Sequence, residues 1–269
     1  MTQAAALDRT AESLLAFWAE AGVDAMLLDT PIDKIEAGKF VAPKPAEKKP
    51  LLVAAPKPGV SDISAAVAQA RHLAAEAKDL DALKAAIAGF DGCPLKFEGA
   101  RQSVFARGAV DAPLLIIGEG PGPEEDARGE PFIGDAGQLL DRMLGAAGLT
   151  DRVFITNTVF WRPPGDRTPS LQEQQVCAPF LERAIELVAP KMLLLLGAPS
   201  AKAMLKRDEG ILSLRGRWFE WRSESGHLEL PAMPTLHPAF LLWQPGAKKK
   251  AWSDLLTLTE RLDRPDRGA

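Results

Sequence analysis

Three short apolar runs constrain this chain more than any other feature: Leu114 to Ile117 (LLII), Val153 to Thr156 (VFIT) and Met192 to Leu196 (MLLLL). Each has the length of a strand, and none alternates polar with apolar residues, which is the pattern of a strand buried on both faces. Apolar residues recur at helical spacing in Gly137 to Ala147 and Leu171 to Val188, between the runs, and in Ser200 to Leu205, after the third. Strand and helix alternating in this way predict an α/β fold: three α/β/α layers around a central, mostly parallel sheet. Leu214 to Arg222 and Leu228 to Ala232 read as further strands, and Lys249 to Leu262 as a last helix.

The chain ahead of this pattern is of another kind. Asp8 to Leu28 has an amphipathic spacing, with Leu14, Leu15, Trp18, Ala21 and Val23 on one face, so residues 1–30 are expected to form an N-terminal helical extension. Residues 31–60 turn to Pro, Lys and Ala, a linker composition. Residues 61–269 then form the main domain, opening with Ser61 as the N-cap of an alanine-rich helix that runs to about Ala88.

Several function classes fall away at this point. No apolar run reaches the length of a membrane span, and the acid-bearing N-terminus lacks the basic start and apolar core of a secretory signal. Two cysteines, Cys93 and Cys177, do not make a disulfide framework, so a reducing cytoplasm is expected. The net charge of −4 argues against a protein that coats nucleic acid nonspecifically, while leaving room for a local basic face.

Chemistry-bearing residues gather where the strands end. After the first apolar run the chain breaks on Gly118-Glu119-Gly120-Pro121-Gly122, followed by the acids Glu124, Glu125 and Asp126 and then by Pro131-Phe132-Ile133-Gly134. In open α/β sheets, ligands bind in the crevice beyond the carboxyl ends of the strands. The loop is neither a dinucleotide fingerprint nor a phosphate loop: Pro121 and the acids break the first pattern, and no Gly-Lys-Ser/Thr completes the second. Asn157 ends the second run, with an amide that donates and accepts at once and so can read a base edge. His237-Pro238, followed by Ala239 and the apolar Phe240-Leu241-Leu242-Trp243, reads as a rigid exposed loop whose side chains can wedge between bases. Taken singly, each has a plain structural reading: an acidic helix start, a turn-forming Asn and a packed His.

In this order the motifs resemble the uracil-DNA glycosylase superfamily, most closely its family 4. The resemblance covers about Cys93 to Leu262 and includes GEGPGPEED, GEPFIGDAGQLLDRML, VFITNTVFWRPPGDRTP, the LLLLG strand, LRGRWFEW and LHPAFLL. It implies a monomeric, monofunctional DNA repair enzyme of the cytoplasm, bacterial and acting on the nucleoid. Such an enzyme flips uracil from single- or double-stranded DNA, hydrolyses its N-glycosidic bond and leaves free uracil and an abasic site for base excision repair.

By the same resemblance, Glu119 and His237 are catalytic, and Gly120, Glu125, Phe132 and Asn157 bind uracil. Phe240, Leu241, Leu242, Arg162 and Arg167 are expected to contact DNA. Some families exclude thymine with a tyrosine, which this chain lacks; the resemblance places Glu125 in the corresponding region of the family pattern and implies that it walls off the C5 methyl. Three alternatives stay open: a glycosylase for hypoxanthine or xanthine, a non-catalytic or covalently trapping uracil-DNA binder, and a plain flavodoxin-like binding domain that would copurify with flavin or nucleotide and release no base. Against trapping, residues 162–170 (RPPGDRTPS) lack the histidine that a trapping relative carries there.

The family holds an iron–sulfur cluster on four cysteines, and here the chain departs from it. Phe90 and Trp161 stand at two ligand positions, leaving only Cys93 and Cys177. The expectation is therefore no metal and no cofactor, with the two aromatic rings filling the vacated volume.

Overall fold

The computed structural model describes residues 63–264. The expected N-terminal helix, the linker and the Ser61 cap lie outside the described residues. The alanine-rich segment is two helices rather than one, α1 (Ile63–Glu76) and α2 (Leu80–Gly89). Asp79 makes the break: its backbone is extended and its carboxylate accepts from the Ala82 N–H at 2.7 Å. An aspartate stabilises a helix more as an N-cap than inside it.

The chain then runs β1 (Ala106–Gly108), β2 (Leu114–Gly118), α3 (Pro123–Arg128), α4 (Asp135–Ala146), β3 (Val153–Asn157) and α5 (Leu171–Val188). It continues through β4 (Met192–Leu196), α6 (Gly197–Leu205), α7 (Ile211–Leu214), β5 (Phe219–Arg222), β6 (Glu229–Thr235), α8 (Pro238–Trp243) and α9 (Lys248–Leu262). The strands form one sheet in the order β1-β3-β2-β4-β6-β5. The inner pairings are parallel, and β1 and β5 pair antiparallel at the two edges.

Each inner strand feeds both faces. Leu115 and Ile117 of β2 join a core with Ala70 of α1, Leu83 of α2 and Phe180 of α5. Leu114 and Ile116 point the other way, into a core with Leu140 and Leu144 of α4 and Leu255 and Leu258 of α9. A fully buried Leu or Ile side chain contributes about 1.5–3 kcal/mol, so these two cores are what hold the sheet between its helical layers. The expected three-layer α/β/α arrangement is what forms.

β2 is flanked by β3 on one side and β4 on the other, both parallel to it. The chain leaves β2 in one direction and crosses back in the other, which opens a crevice beyond the β2 carboxyl end.

Three local expectations differ from the structure. β1 was not legible, because three residues, Ala-Arg-Gly, carry no alternation. The strand expected from Leu214 begins only at Phe219, since Arg215 leaves the sheet to pair with Asp254 on α9. The segment after His237 is a short helix rather than a loop, with Pro238 at its first turn, where a fixed φ and a missing N–H favour helix.

Candidate active site

Beyond the β2 carboxyl end lies a cleft of about 310 Å³, walled by Glu119, Gly120, Glu125, Phe132, Asn157 and His237 among others. All six catalytic and uracil-binding candidates read from the sequence line it. They arrive from separate elements: Glu119 and Gly120 follow β2, Asn157 ends β3 and His237 follows β6.

The loop after β2 is held by Glu125. Its carboxylate accepts from the Gly122 N–H at 3.1 Å, the Ile133 N–H at 3.1 Å and the Gly134 N–H at 3.2 Å. A charged acceptor with three backbone donors is a strong clasp, joining the two lips of the loop. The neighbouring acids differ from it: Asp126 is buried and accepts from the Arg101 N–H at 2.8 Å, while Glu124 is exposed. The Glu119 carboxylate lines the cleft and makes no hydrogen bond or ion pair among the described residues. Its backbone carbonyl is fixed instead, accepting from the Thr158 hydroxyl at 2.6 Å.

Phe132 lies across the cleft in the left-handed region, at φ 55°. A bulky residue there is strained, and such strain persists only when the surroundings hold it. Gly137 permits the turn: a Cβ at that position would lie 1.7 Å from the Phe132 carbonyl oxygen. The Phe132 ring faces the His237 imidazole, with centroids 5.7 Å apart and planes 36° from parallel.

Asn157 is 1% exposed, and its Oδ1 is a buried side-chain atom with no hydrogen-bond partner. Leaving such an atom unpaired costs about 1–3 kcal/mol, so an orphan in a cleft marks a place for a ligand group. His237 is oriented by its own helix: the Ala239 N–H donates to Nδ1 at 3.2 Å. With Nδ1 accepting, the ring proton resides on Nε2. Burial lowers the His237 pKa to about 4, only partly opposed by the Glu125 charge, so the ring is neutral near pH 7.

The expected DNA-contacting residues divide. Leu241 is 0% exposed and packs with Leu139, Leu236 and Ala251, so it cannot serve as a wedge, contrary to expectation. The short helix turns that side inward and presents Phe240, Leu242 and Trp243, which are 43%, 39% and 84% exposed. Arg162 is held by both oxygens of Asp166, at 2.7 and 3.0 Å. Arg167 bridges to Glu173 at 2.7 and 2.9 Å. Burial works against the Glu173 charge, but the Arg167 and Ser170 hydrogen bonds keep its carboxyl below the usual range. Both guanidiniums are thus already matched by carboxylates. Sequence reasoning also missed Arg107, which reaches the Pro131 and Phe132 carbonyls from the edge strand; a lone arginine in three residues carries no signal.

In the core on the Leu115 and Ile117 face of the sheet, the Cys93 and Cys177 thiols lie 3.9 Å apart and fully buried. Burial, then the neighbouring Cys93 thiol, pushes the Cys177 pKa well up. Phe90 and Trp161 are buried in the same core, Phe90 edge-on to Phe180 at 5.1 Å and Trp161 edge-on to Phe160 at 6.4 Å. Two thiols supply half the donors of a four-thiolate cluster, and among the described residues no group of three or more His, Cys, Asp or Glu is placed to hold a metal. The residues present do not fit that cofactor.

Residues 105–256 match the family model of the uracil DNA glycosylase superfamily. The chain is 37% identical over 183 residues to a type-4 uracil-DNA glycosylase of Pyrobaculum aerophilum, covering 66% of this chain and 91% of that protein. It is 36% identical over 172 residues to the type-4 enzyme of Sulfurisphaera tokodaii, covering 62% and 77% of the two chains. The type-4 enzyme of Thermotoga maritima is 36% identical over 152 residues, covering 56% and 76%.

Proposed function

This chain belongs to the uracil DNA glycosylase superfamily, and from that premise we propose that it excises uracil from DNA, hydrolysing the N-glycosidic bond and leaving an abasic site. The observation that carries this reading is the orphaned Asn157 oxygen, buried in a cleft that also holds a flat aromatic ring and a neutral imidazole. A uracil ring extruded from the stack answers all three. Its N3–H donates to the Asn157 oxygen, and its O4 accepts from the amide nitrogen. Cytosine, with an unprotonated N3 and an amino group at position 4, offers the reverse pattern and leaves both amide atoms unmatched. Phe132 stacks on the ring, and the Gly120 amide binds its edge.

Bond cleavage separates charge: the C1′–N1 electron pair leaves onto uracil while the sugar becomes oxocarbenium-like. His237, neutral with its proton on Nε2, donates to uracil O2 as negative charge builds there. The unpaired Glu119 carboxylate stabilises the cationic sugar and polarises the water that adds to C1′, taking up its proton. Glu125 forms the wall beside uracil C5 while its carboxylate keeps the loop closed.

DNA is held at the rim. Phe240, Leu242 and Trp243 occupy the space left by the flipped base, which takes over the task expected of Leu241. Arg162 and Arg167 meet phosphates as partly neutralised charges. The first turn of α9, Lys248-Lys249-Lys250, sets three cations against the positive end of the helix dipole, an unfavourable placement that phosphate contact relieves. The enzyme acts as a monomer in the cytoplasm, on single- or double-stranded DNA, and without an iron–sulfur cluster.

The test is a base-release assay on oligonucleotides bearing uracil, thymine, hypoxanthine or xanthine. Release from the uracil strand alone supports the reading. Release of hypoxanthine or xanthine in preference to uracil, or of no base at all, overturns it.

A further inference from the structure

We propose that Arg107, on the edge strand β1, is a positioning residue that holds Phe132 in place beneath the base; this rests on the uracil-excising reading of the cleft. Arg107 pairs with Ile155 across β1 and β3, so it shares the sheet face of Ile155, the face covered by α4. There its Nε donates to the Pro131 carbonyl at 2.8 Å and its Nη2 to the Phe132 carbonyl at 3.2 Å. The same Nη2 donates to Asp141 of α4 at 2.6 Å. A planar fork suits two successive carbonyls in a way that a lysine ammonium does not.

Phe132 needs such a hold. Its positive φ is unfavourable for an aromatic residue, and left free the backbone would return to negative φ and swing the ring out of the cleft. The turn around it is gripped from two sides. Arg107 takes the carbonyls of residues 131 and 132, and Glu125 takes the amides of Ile133 and Gly134. Asp141 aims the guanidinium and balances its charge. Stacking on the flipped base is therefore set from a strand at the sheet edge, by a side chain that does not line the cleft.

A purely structural ion pair between β1 and α4 makes a different forecast, so the test compares Arg107→Ala and Arg107→Lys with Arg152→Ala, a control that breaks the Arg152–Asp263 pair. Single-turnover uracil release, inhibition by free uracil, amide exchange at Ile133 and Gly134 and thermal melting are measured on each full-length protein. We expect Arg107→Ala to slow release by about tenfold or more and to weaken uracil inhibition about tenfold, a loss of about 1.4 kcal/mol. Amide exchange at the two positions quickens, affinity for uracil-free duplex is unchanged and Arg107→Lys recovers part of each effect. Uracil inhibition at the wild-type value in Arg107→Ala, or losses no larger than those of Arg152→Ala at matched stability, would overturn the proposal. If Arg107→Ala does not fold, Arg107→Lys carries the comparison, and wild-type inhibition by uracil in that variant overturns it. A wild-type protein that releases no uracil sinks the functional reading instead; the exchange rates at Ile133 and Gly134 then judge the clamp by themselves.

Discussion

Gly118 lies so close to Asn157 that a Cβ on it would come within 2.3 Å of the Asn157 side-chain oxygen, and within 2.4 Å of the Phe132 ring edge. The last residue of β2 is thus the floor on which the amide and the stacking ring both rest. A Gly118→Ala change should displace both side chains. We expect destabilisation of about 1–3 kcal/mol from overpacking. Because an ångström of misplacement near the chemistry costs about a hundredfold, uracil release should fall on that scale. Single-turnover kinetics beside a melting curve checks this; a variant that melts lower but excises at the wild-type rate would show that the floor does not position the site.

The His237 pKa of about 4, set by burial, gives a pH signature. Between pH 4 and the ordinary histidine value of about 6.5, the unfolded chain binds a proton that the folded one refuses. Stability should therefore rise with pH across that window, by at most about 1.4 kcal/mol per pH unit from this group, and the contribution is flat above it. Uracil release should show no histidine inflection between about pH 6 and pH 8. An inflection near pH 6.5 that vanishes in His237→Asn would mean the ring works as an imidazolium.

The short helix after β6 sets a buried Leu241 beside the exposed Leu242 and Trp243, and the proposed division between packing and DNA contact follows that order. Leu241→Ala should cost about 2–5 kcal/mol of stability, as a buried leucine does. Leu242→Ala and Trp243→Ala should leave melting nearly unchanged and slow base flipping, read as weaker binding and slower release on double-stranded substrate. Loss of flipping with Leu241→Ala at unchanged stability would reverse the assignment.

The aromatic core around Cys93 and Cys177 should bind no iron. Metal analysis of protein purified without oxygen is expected to find none, and its visible spectrum to lack a charge-transfer band. Trp161→Ala should cost about 3–5 kcal/mol, because its ring is fully buried. Stoichiometric iron, or a Trp161→Ala protein of unchanged stability, would contradict the replacement of metal by packing.

Much of this fold could be read from residue order, because LLII, VFIT and MLLLL have strand length, lack alternation and are separated by segments with helical spacing. The clustering of Glu119, Asn157 and His237 in one cleft was legible for a related reason: each stands at or just beyond a strand's carboxyl end, and a parallel sheet gathers such positions, while the roles expected of them came from the family resemblance. Three features were hidden from sequence. The inward face of Leu241 depends on a six-residue helix too short to show a period. The Arg162 and Arg167 pairings are decided by Asp166 and Glu173, whose partners a sequence does not fix. The Arg107 grip on Phe132 joins residues 25 apart through carbonyl groups, which have no sequence identity to read.

The central claim is that the Asn157 amide reads uracil by its donor and acceptor order. Single-turnover release by wild type and Asn157→Asp, on matched oligonucleotides carrying U or C, tests it most directly. Wild type should release uracil and leave cytosine in place, while Asn157→Asp should lose most of its rate on U and with it the U-over-C preference. An Asn157→Asp enzyme that keeps the wild-type ratio would place recognition elsewhere in the cleft.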